Sequence, residues 1–249
     1  MISVVIPTFN RSTSLKRCLF SLKNQTFKDF EVIVVDDGST DDTKGVFDSI
    51  GDKMFRYFRQ ENAGQSKARN NGVEQAKGSI IAFTDDDCEA DENWLFAISK
   101  SMQGSIKCVK GRTEVLNMNG FTRDLRTYVY TSSSAATNNI AYDKQVIKSL
   151  GLFDESMRLH EDLDLFYRFR LAGYSKVYSP GMLVFHEYED NIEDFKRVSY
   201  NRGMGLRRFF HKFLRIKPSL AIAQMVVAMI PILFLPVNRF FYLKRTRAV

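Results

Sequence analysis

Phe30–Asp36 reads FEVIVVD and runs without a break into Asp37-Gly38-Ser39-Thr40. A short apolar, β-branched run of this kind is the pattern of a strand buried on both faces, as in a parallel sheet. The pattern recurs at Ile2–Pro7 (ISVVIP), Phe55–Phe58 (FRYF) and Ser79–Thr84 (SIIAFT). Helices are predicted between these runs. Leu15, Cys18, Leu19 and Leu22 share one face of Ser14–Asn24, and Thr43–Ile50 and Gln65–Ala76 supply two more helices. Strands alternating with helices at a spacing of about 25 residues form βαβ units. Right-handed crossovers then predict an open, Rossmann-like α/β sheet whose ligands bind beyond the carboxyl ends of its strands. Past residue 104 the pattern is less regular. Strands are predicted at Lys107–Arg112 and Ser175–Tyr178, and a helix at Leu163–Ala172 closed by Gly173.

The chain has 249 residues, 44% hydrophobic and 26% charged, which excludes intrinsic disorder and a fibrous repeat. Cys18, Cys88 and Cys108 are too few and too far apart for a disulfide framework or a zinc knuckle, so a reducing compartment is expected. The net charge of +7 is unevenly divided. Residues 1–194 carry 24 of the 36 basic groups against all 29 acidic ones, a net of −5, and the rest carries twelve basic groups and no acid. Within that basic tail, Ser219–Val237 is a run of 19 residues without a charge. Spanning a bilayer takes roughly 20 apolar residues, whereas a nucleic-acid arm needs none. The tail is therefore expected to bind a membrane and not nucleic acid.

The expected division is a catalytic domain at residues 1–190 and a membrane-associating tail at 191–249. Asn191–Phe213 is predicted to form a basic amphipathic helix leading into the apolar run. Pro231 and Pro236 would kink or end a spanning helix, so a re-entrant or interfacial hairpin fits as well as a span. The opening MISVVIPTFNRS lacks the positive region of a signal peptide, which places the catalytic part at the cytoplasmic face of the cell membrane.

Carboxylates follow two of the strands. Asp36-Asp37-Gly38-Ser39-Thr40 suits a turn with a helix cap as well as a ligand site. Asp85-Asp86-Asp87 is harder to explain as a turn, because three adjacent negative charges repel unless a cation or solvent relieves them. Side chains alternate along a strand, so Asp85 and Asp87 are expected to face one ligand while Asp86 points elsewhere. Hard oxygen ligands suit Mg²⁺ or Mn²⁺, which complete their shells with phosphate, so a diphosphate is the expected partner. Neither a P-loop nor a dinucleotide-binding glycine motif is present.

Four stretches in order carry a family resemblance: VVIPTFNR (Val4–Arg11), VIVVDDGSTDDT (Val32–Thr43), NAGQSKARNNGVEQAKGSIIAFTDDD (Asn62–Asp87), and GLFDE with HEDLDLFYRFRLAGY (Gly151–Glu155, His160–Tyr174). They resemble the inverting nucleotide-sugar glycosyltransferases of family 2, with a GT-A fold. The resemblance implies that Pro7 and Thr8 form the floor beneath base and ribose, and that Asp36, with Asp37, accepts from the nucleobase. It implies that Arg69, Asp85 and Asp86 serve the donor, with Asp85 and Asp87 as metal ligands and His186 completing the shell of a Mn²⁺ or Mg²⁺ ion. It assigns the general base to Asp162, with Glu161 in support, and places Asn138 and Asn139 on the acceptor side. The implied reaction moves a single sugar from a nucleotide diphosphate sugar to a glycan or lipid-linked acceptor in polysaccharide or glycolipid assembly, since the QxxRW motif of processive synthases is absent. The rival readings are a sugar-phosphate nucleotidyltransferase and a catalytically inactive membrane-bound scaffold.

Overall fold

The computed structural model describes residues 1–116, 135–157, 159–187, 200 and 209–213. The described strands are β1 (Ile2–Thr8), β2 (Phe30–Asp36), β3 (Phe55–Arg59), β4 (Ile80–Phe83), β5 (Cys88–Ala90), β6 (Cys108–Leu116), β7 (Ile140–Asp143) and β8 (Val177–Glu187). They form one sheet in the order β3-β2-β1-β4-β7-β6-β8-β5. The first four are parallel, and β7 then joins β4 antiparallel. Because the chain steps from β1 outward to β3 and returns to β4 on the other side of β1, a switch point lies between β1 and β4. Open α/β sheets bind ligands there.

The described helices that pack with this sheet are α1 (Ser12–Lys23), α2 (Thr43–Ile50), α3 (Gln65–Gln75), α4 (Trp94–Ser101), α5 (Lys144–Ser149) and α6 (Glu161–Leu171). Alternation along the strands sorts them into layers. Val4 and Ile6 pack with Leu15, Leu19 and Leu22 of α1 and with Trp94 and Ile98 of α4. Val5, Ile33 and Val35 face the other way, toward Ala68 and Val73 of α3 and Leu165 and Phe169 of α6. Both faces of the parallel strands are covered, which is why every residue of β2 is buried.

The predicted βαβ half matches these elements closely, with β2 and α2 ending where the sequence reading puts them. Three differences matter for the site. The fourth strand stops at Phe83, so the three aspartates form a turn and not a strand end. The last strand runs on to Glu187, well past Tyr178, and carries His186. The helix expected at Leu163–Ala172 begins at Glu161, which puts the Glu161-Asp162 pair within its first turn.

The chain divides into two compact units, Met1–Arg202 and Gly203–Val249. In the second, residues 209–213 are helical, with the rings of Phe209 and Phe213 4.8 Å apart. The apolar run Ser219–Val237 and most of the expected amphipathic helix lie outside the described residues. Among the described residues no helix is long and apolar enough to cross a membrane.

Candidate active site

The turn after β2 is closed by its own first carboxylate. Asp36 Oδ1 accepts from the Ser39 amide at 2.8 Å, and Oδ2 accepts from the Tyr57 hydroxyl. Burial, and then the adjacent carboxylate, push the Tyr57 hydroxyl well above its ordinary pKa. Gly38 takes φ +89° in this turn, a conformation that side chains beyond glycine rarely adopt. Asp37 receives the Ala63 and Gly64 amides at 2.9 and 2.8 Å and the Gln60 side chain at 2.8 Å.

The turn after β4 is built on cations. The guanidinium of Arg69 reaches Asp85 at 2.8 Å and Glu161 at 2.7 Å from a position only 3% exposed. Asp86 is buried, accepts from the Thr8 hydroxyl at 2.7 Å and lies 3.3 Å from Arg11. Burial lifts its pKa to about 7, with Asp87 adding to the rise and Arg11 opposing it. Asp87 meets Arg11 at 2.6 Å on one oxygen and His186 Nε2 at 3.3 Å on the other. The histidine is delivered by strand register, since β5 pairs antiparallel with β8 and sets Cys88 opposite His186.

At the start of α6, Glu161 is buried and accepts from both Arg69 and Gln65 on Oε1. Burial and the neighbouring Asp162 charge raise the Glu161 pKa, against the pull of Arg69. Asp162 is half-buried, accepts from the Leu163 amide at 2.6 Å, and among the described residues makes no ion pair. Acidic groups in a first helical turn are favoured by the helix dipole. His160, which precedes the pair, is in the left-handed region at φ +63°. Strained backbone of this kind clusters at functional sites.

A cleft of about 510 Å³ opens at the switch point, and Glu161, Asp162 and His186 are not among the residues that line it. Pro7, Thr8, Asp37, Arg69, Asp85, Asp86 and Asp87 line it, and so do Phe9, Arg11, Gln65 and Leu159, which sequence reasoning did not single out. Arg11 had a signal, being the basic residue that closes PTFNR, but its partners come from a turn some 75 positions away in the chain.

Several expectations are corrected. Asp86 does not point away from the others, because strand alternation has ended at Phe83 and the turn folds its carboxylate back under Thr8. Asp36 does not line the cleft, since it is 1% exposed with both oxygens occupied. Asn138 and Asn139 do not face an acceptor; they are 2% and 0% exposed. Asn139 accepts from the Trp94 indole at 2.8 Å and donates to Arg112 and Met182 carbonyls, which stitches α4 to the β6–β8 pair. Asn138 accepts from the buried Lys110 ammonium at 3.4 Å.

A metal ion fits the donor set. Asp87, Cys88 and His186 offer a carboxylate oxygen, a thiol and a ring nitrogen that all lie within 4.8 Å of one another. Carboxylate with imidazole suits Mn²⁺, and Mg²⁺ prefers oxygen alone. Cys88 was not among the expected ligands, and burial with nearby carboxylates pushes its thiol well above its ordinary pKa. Asp85, expected to share the ion, gives one oxygen to Arg69 at 2.8 Å.

Residues 3–153 match the model of the glycosyl transferase family 2 domain. The chain belongs to glycosyl transferase family 2. This family 2 member is 30% identical over 201 residues to the glycosyltransferase AglE of Haloferax volcanii, covering 74% of this chain and 66% of AglE. It is 43% identical over 106 residues to the Campylobacter jejuni GalNAc(5)-diNAcBac-PP-undecaprenol β-1,3-glucosyltransferase, covering 41% of this chain and 33% of that enzyme. The chain thus spans about a third to two thirds of the length of these relatives. Among solved structures, S. aureus TarS 1–349 with UDP-GlcNAc superposes with a TM-score of 0.65 at 21% identity, covering 82% of this chain and 66% of that one. The mannosyltransferase PcManGT of Pyrobaculum calidifontis, in complex with GDP-Man and Mn²⁺, gives 0.68 at 20% identity, covering 86% and 64%. Both likenesses establish the Rossmann-like GT-A fold.

Proposed function

We propose that this chain transfers one sugar from a nucleotide diphosphate sugar to an acceptor hydroxyl, with inversion at C1. The reading is carried by Arg69, which lines the cleft and whose buried guanidinium bridges Asp85 and Glu161, so tying the start of α6 to the acidic turn. Solved neighbours that hold UDP-GlcNAc and GDP-Man support a diphosphate donor. Pro7 and Thr8 form the floor for base and ribose, and Asp37 borders the same cleft.

Asp87 and His186 would hold a divalent cation, with Cys88 or Asp85 as a further ligand. When bound, that cation supplies Lewis-acid stabilisation to the departing diphosphate. Asp162 takes the proton from the acceptor hydroxyl as its oxygen attacks C1. Glu161 is not free for that task, because Arg69 and Gln65 already occupy it, so it positions the helix start. A general base contributes about 10² to 10⁴ in rate.

The acceptor class we propose is a membrane-linked glycan. The name of the C. jejuni relative, which acts on an undecaprenol-linked glycan, supports it. So does the tail, with twelve basic residues and an uncharged run of 19. Near an anionic leaflet each basic residue contributes about 1 kcal/mol, and apolar burial adds a part that salt does not screen. We place the enzyme at the cytoplasmic face of the cell membrane on that basis.

Two experiments test these readings. A thermal-shift screen of UDP-, GDP- and dTDP-sugars with Mn²⁺ should raise the melting temperature for one donor class, because a ligand that binds only the native state stabilises it. No shift with any donor overturns the transferase reading. Membrane fractions washed with high salt should retain the chain until detergent is added, and release by salt alone would remove the apolar part of the attachment.

A further inference from the structure

Each carboxylate of the acidic turn has a cationic partner, but the two arginines concerned are held very differently. Arg69 is clamped between Asp85 and Glu161 and is 3% exposed. Arg11 reaches over from the loop after β1, and its side chain is 53% exposed. Its Nη1 lies 2.6 Å from Asp87 and 3.3 Å from Asp86, its carboxylate partners among the described residues.

The backbone beneath Arg11 is fixed even though its side chain is half exposed. Asn10 takes φ +53°, in the left-handed region, and is pinned there from both sides. Its amide donates to Ser39 Oγ at 2.9 Å, and its side-chain oxygen accepts from the Thr40 amide at 2.7 Å. On the other flank the Ser12 amide donates to Asp41 at 2.9 Å. The guanidinium can therefore move while its root stays at the rim of the cleft that it lines.

Arg11 stands on Asp87 at the oxygen opposite the one facing His186. A divalent cation drawing on Asp87 competes with that guanidinium for the same carboxylate charge. A released guanidinium with no new partner loses its ion pair, whereas one released beside a diphosphate gains a fork of charge-assisted hydrogen bonds.

We propose that Arg11 is an internal counter-cation that neutralises the acidic turn in the empty enzyme and passes to the donor diphosphate when the divalent cation takes Asp87. This rests on the metal-dependent transferase reading given above. Its consequence is that cation and nucleotide bind with positive coupling, of the order of 5- to 150-fold. The cation alone binds weakly because it must displace Arg11 for no return.

The test is titration of the full chain with Mn²⁺, following the free-ion electron paramagnetic resonance signal, with and without saturating UDP or GDP. The wild type should bind Mn²⁺ at least about fivefold more tightly with one nucleotide present. Arg11→Ala should bind Mn²⁺ alone about fivefold or more tighter than the wild type, and should lose most of the nucleotide-induced gain. Arg11→Lys should retain part of the coupling, and Arg11→Gln, read in the same way, covers the case in which the alanine variant does not fold. If the wild type shows the nucleotide-induced gain but the uncharged variants bind Mn²⁺ alone no more tightly than it does, the role of Arg11 is overturned and the transferase reading stands. If the wild type binds Mn²⁺ neither alone nor with UDP or GDP, the metal reading falls and this inference falls with it.

Discussion

The acidic turns after β2 and β4 flank the end of β1, and they settle their charge by opposite means. Asp36 and Asp37 are held largely by neutral donors: three backbone amides, the Tyr57 hydroxyl and the Gln60 amide, with the exposed Arg59 guanidinium farther off, 3.7 Å from Asp36. Asp85, Asp86 and Asp87 are held chiefly by Arg69, Arg11 and His186. Neutral donors satisfy a carboxylate without inviting exchange, so Asp36 holds the first turn together, while Asp37 also lines the cleft. Cationic partners leave a site where one positive charge can replace another, which suits the second turn to the ligand role proposed for it. Two aspartate-rich stretches that look alike in sequence are separated by the charge of what meets them.

The start of α6 combines both behaviours in adjacent residues, with Glu161 tied to Arg69 and Asp162 in no ion pair among the described residues. The largest expected effect belongs there. Asp162→Asn should lower turnover by about 10² to 10⁴ while nucleotide binding stays nearly normal, because the lost interaction belongs to the transition state. Steady-state kinetics beside calorimetric donor affinity check this, and near wild-type turnover would move the base elsewhere.

Next in size is a pair of substitutions that should exchange phenotypes between the two turns. Asp36→Ala strands the buried Ser39 amide and Tyr57 hydroxyl, and should cost about 1–3 kcal/mol of stability. Asp87→Ala should leave the metal-free melting temperature unchanged or higher, since it thins a cluster of like charges, yet abolish Mn²⁺-dependent donor binding. Denaturant melts and calorimetry on both variants decide the matter. A destabilised Asp87→Ala, or an Asp36→Ala that loses donor affinity at full stability, would erase the distinction.

A gentler test uses a buried cation outside both turns. Lys110 is 1% exposed, and its ammonium donates to the Ala136 and Asn139 carbonyls at 3.2 and 3.1 Å. Burial first, and then the nearby Lys176 ammonium, lower its pKa from 10.5 to about 8. Between pH 8 and 10.5 the unfolded chain binds more protons at this residue, so its contribution makes stability rise with pH across that window. Denaturation midpoints measured from pH 7.5 to 11 should show this slope in the wild type and a smaller one in Lys110→Met. An unchanged slope would mean that the ammonium is not the group responsible.

The sequence was most informative where burial on both faces left few choices. FEVIVVD allows little besides an interior parallel strand, and it is one. The two acidic turns were visible in the sequence, but their difference was not, because it depends on residues distant in the chain. Tyr57 and Gln60 reach the first turn, while Arg11 and His186 reach the second. Strand alternation misled at Asp86 because the strand ends three residues earlier. Asn138 and Asn139 misled for a related reason: an asparagine that satisfies buried carbonyls and an indole looks, in sequence, like one that meets a ligand.

The position of β5 gives the site an order of assembly. The chain leaves the middle of the sheet at β4, makes the acidic turn, and reaches the far edge at β5, whose partner β8 is the last of the described strands. Everything that defines the donor floor comes from the first 87 residues and closes over short loops. The histidine comes from the end of the fold, and bringing it home means ordering nearly a hundred intervening residues, the slow kind of contact in folding. On the function proposed above, a nascent chain would assemble the nucleotide platform early and gain the imidazole only when β8, the last of the described strands, docks.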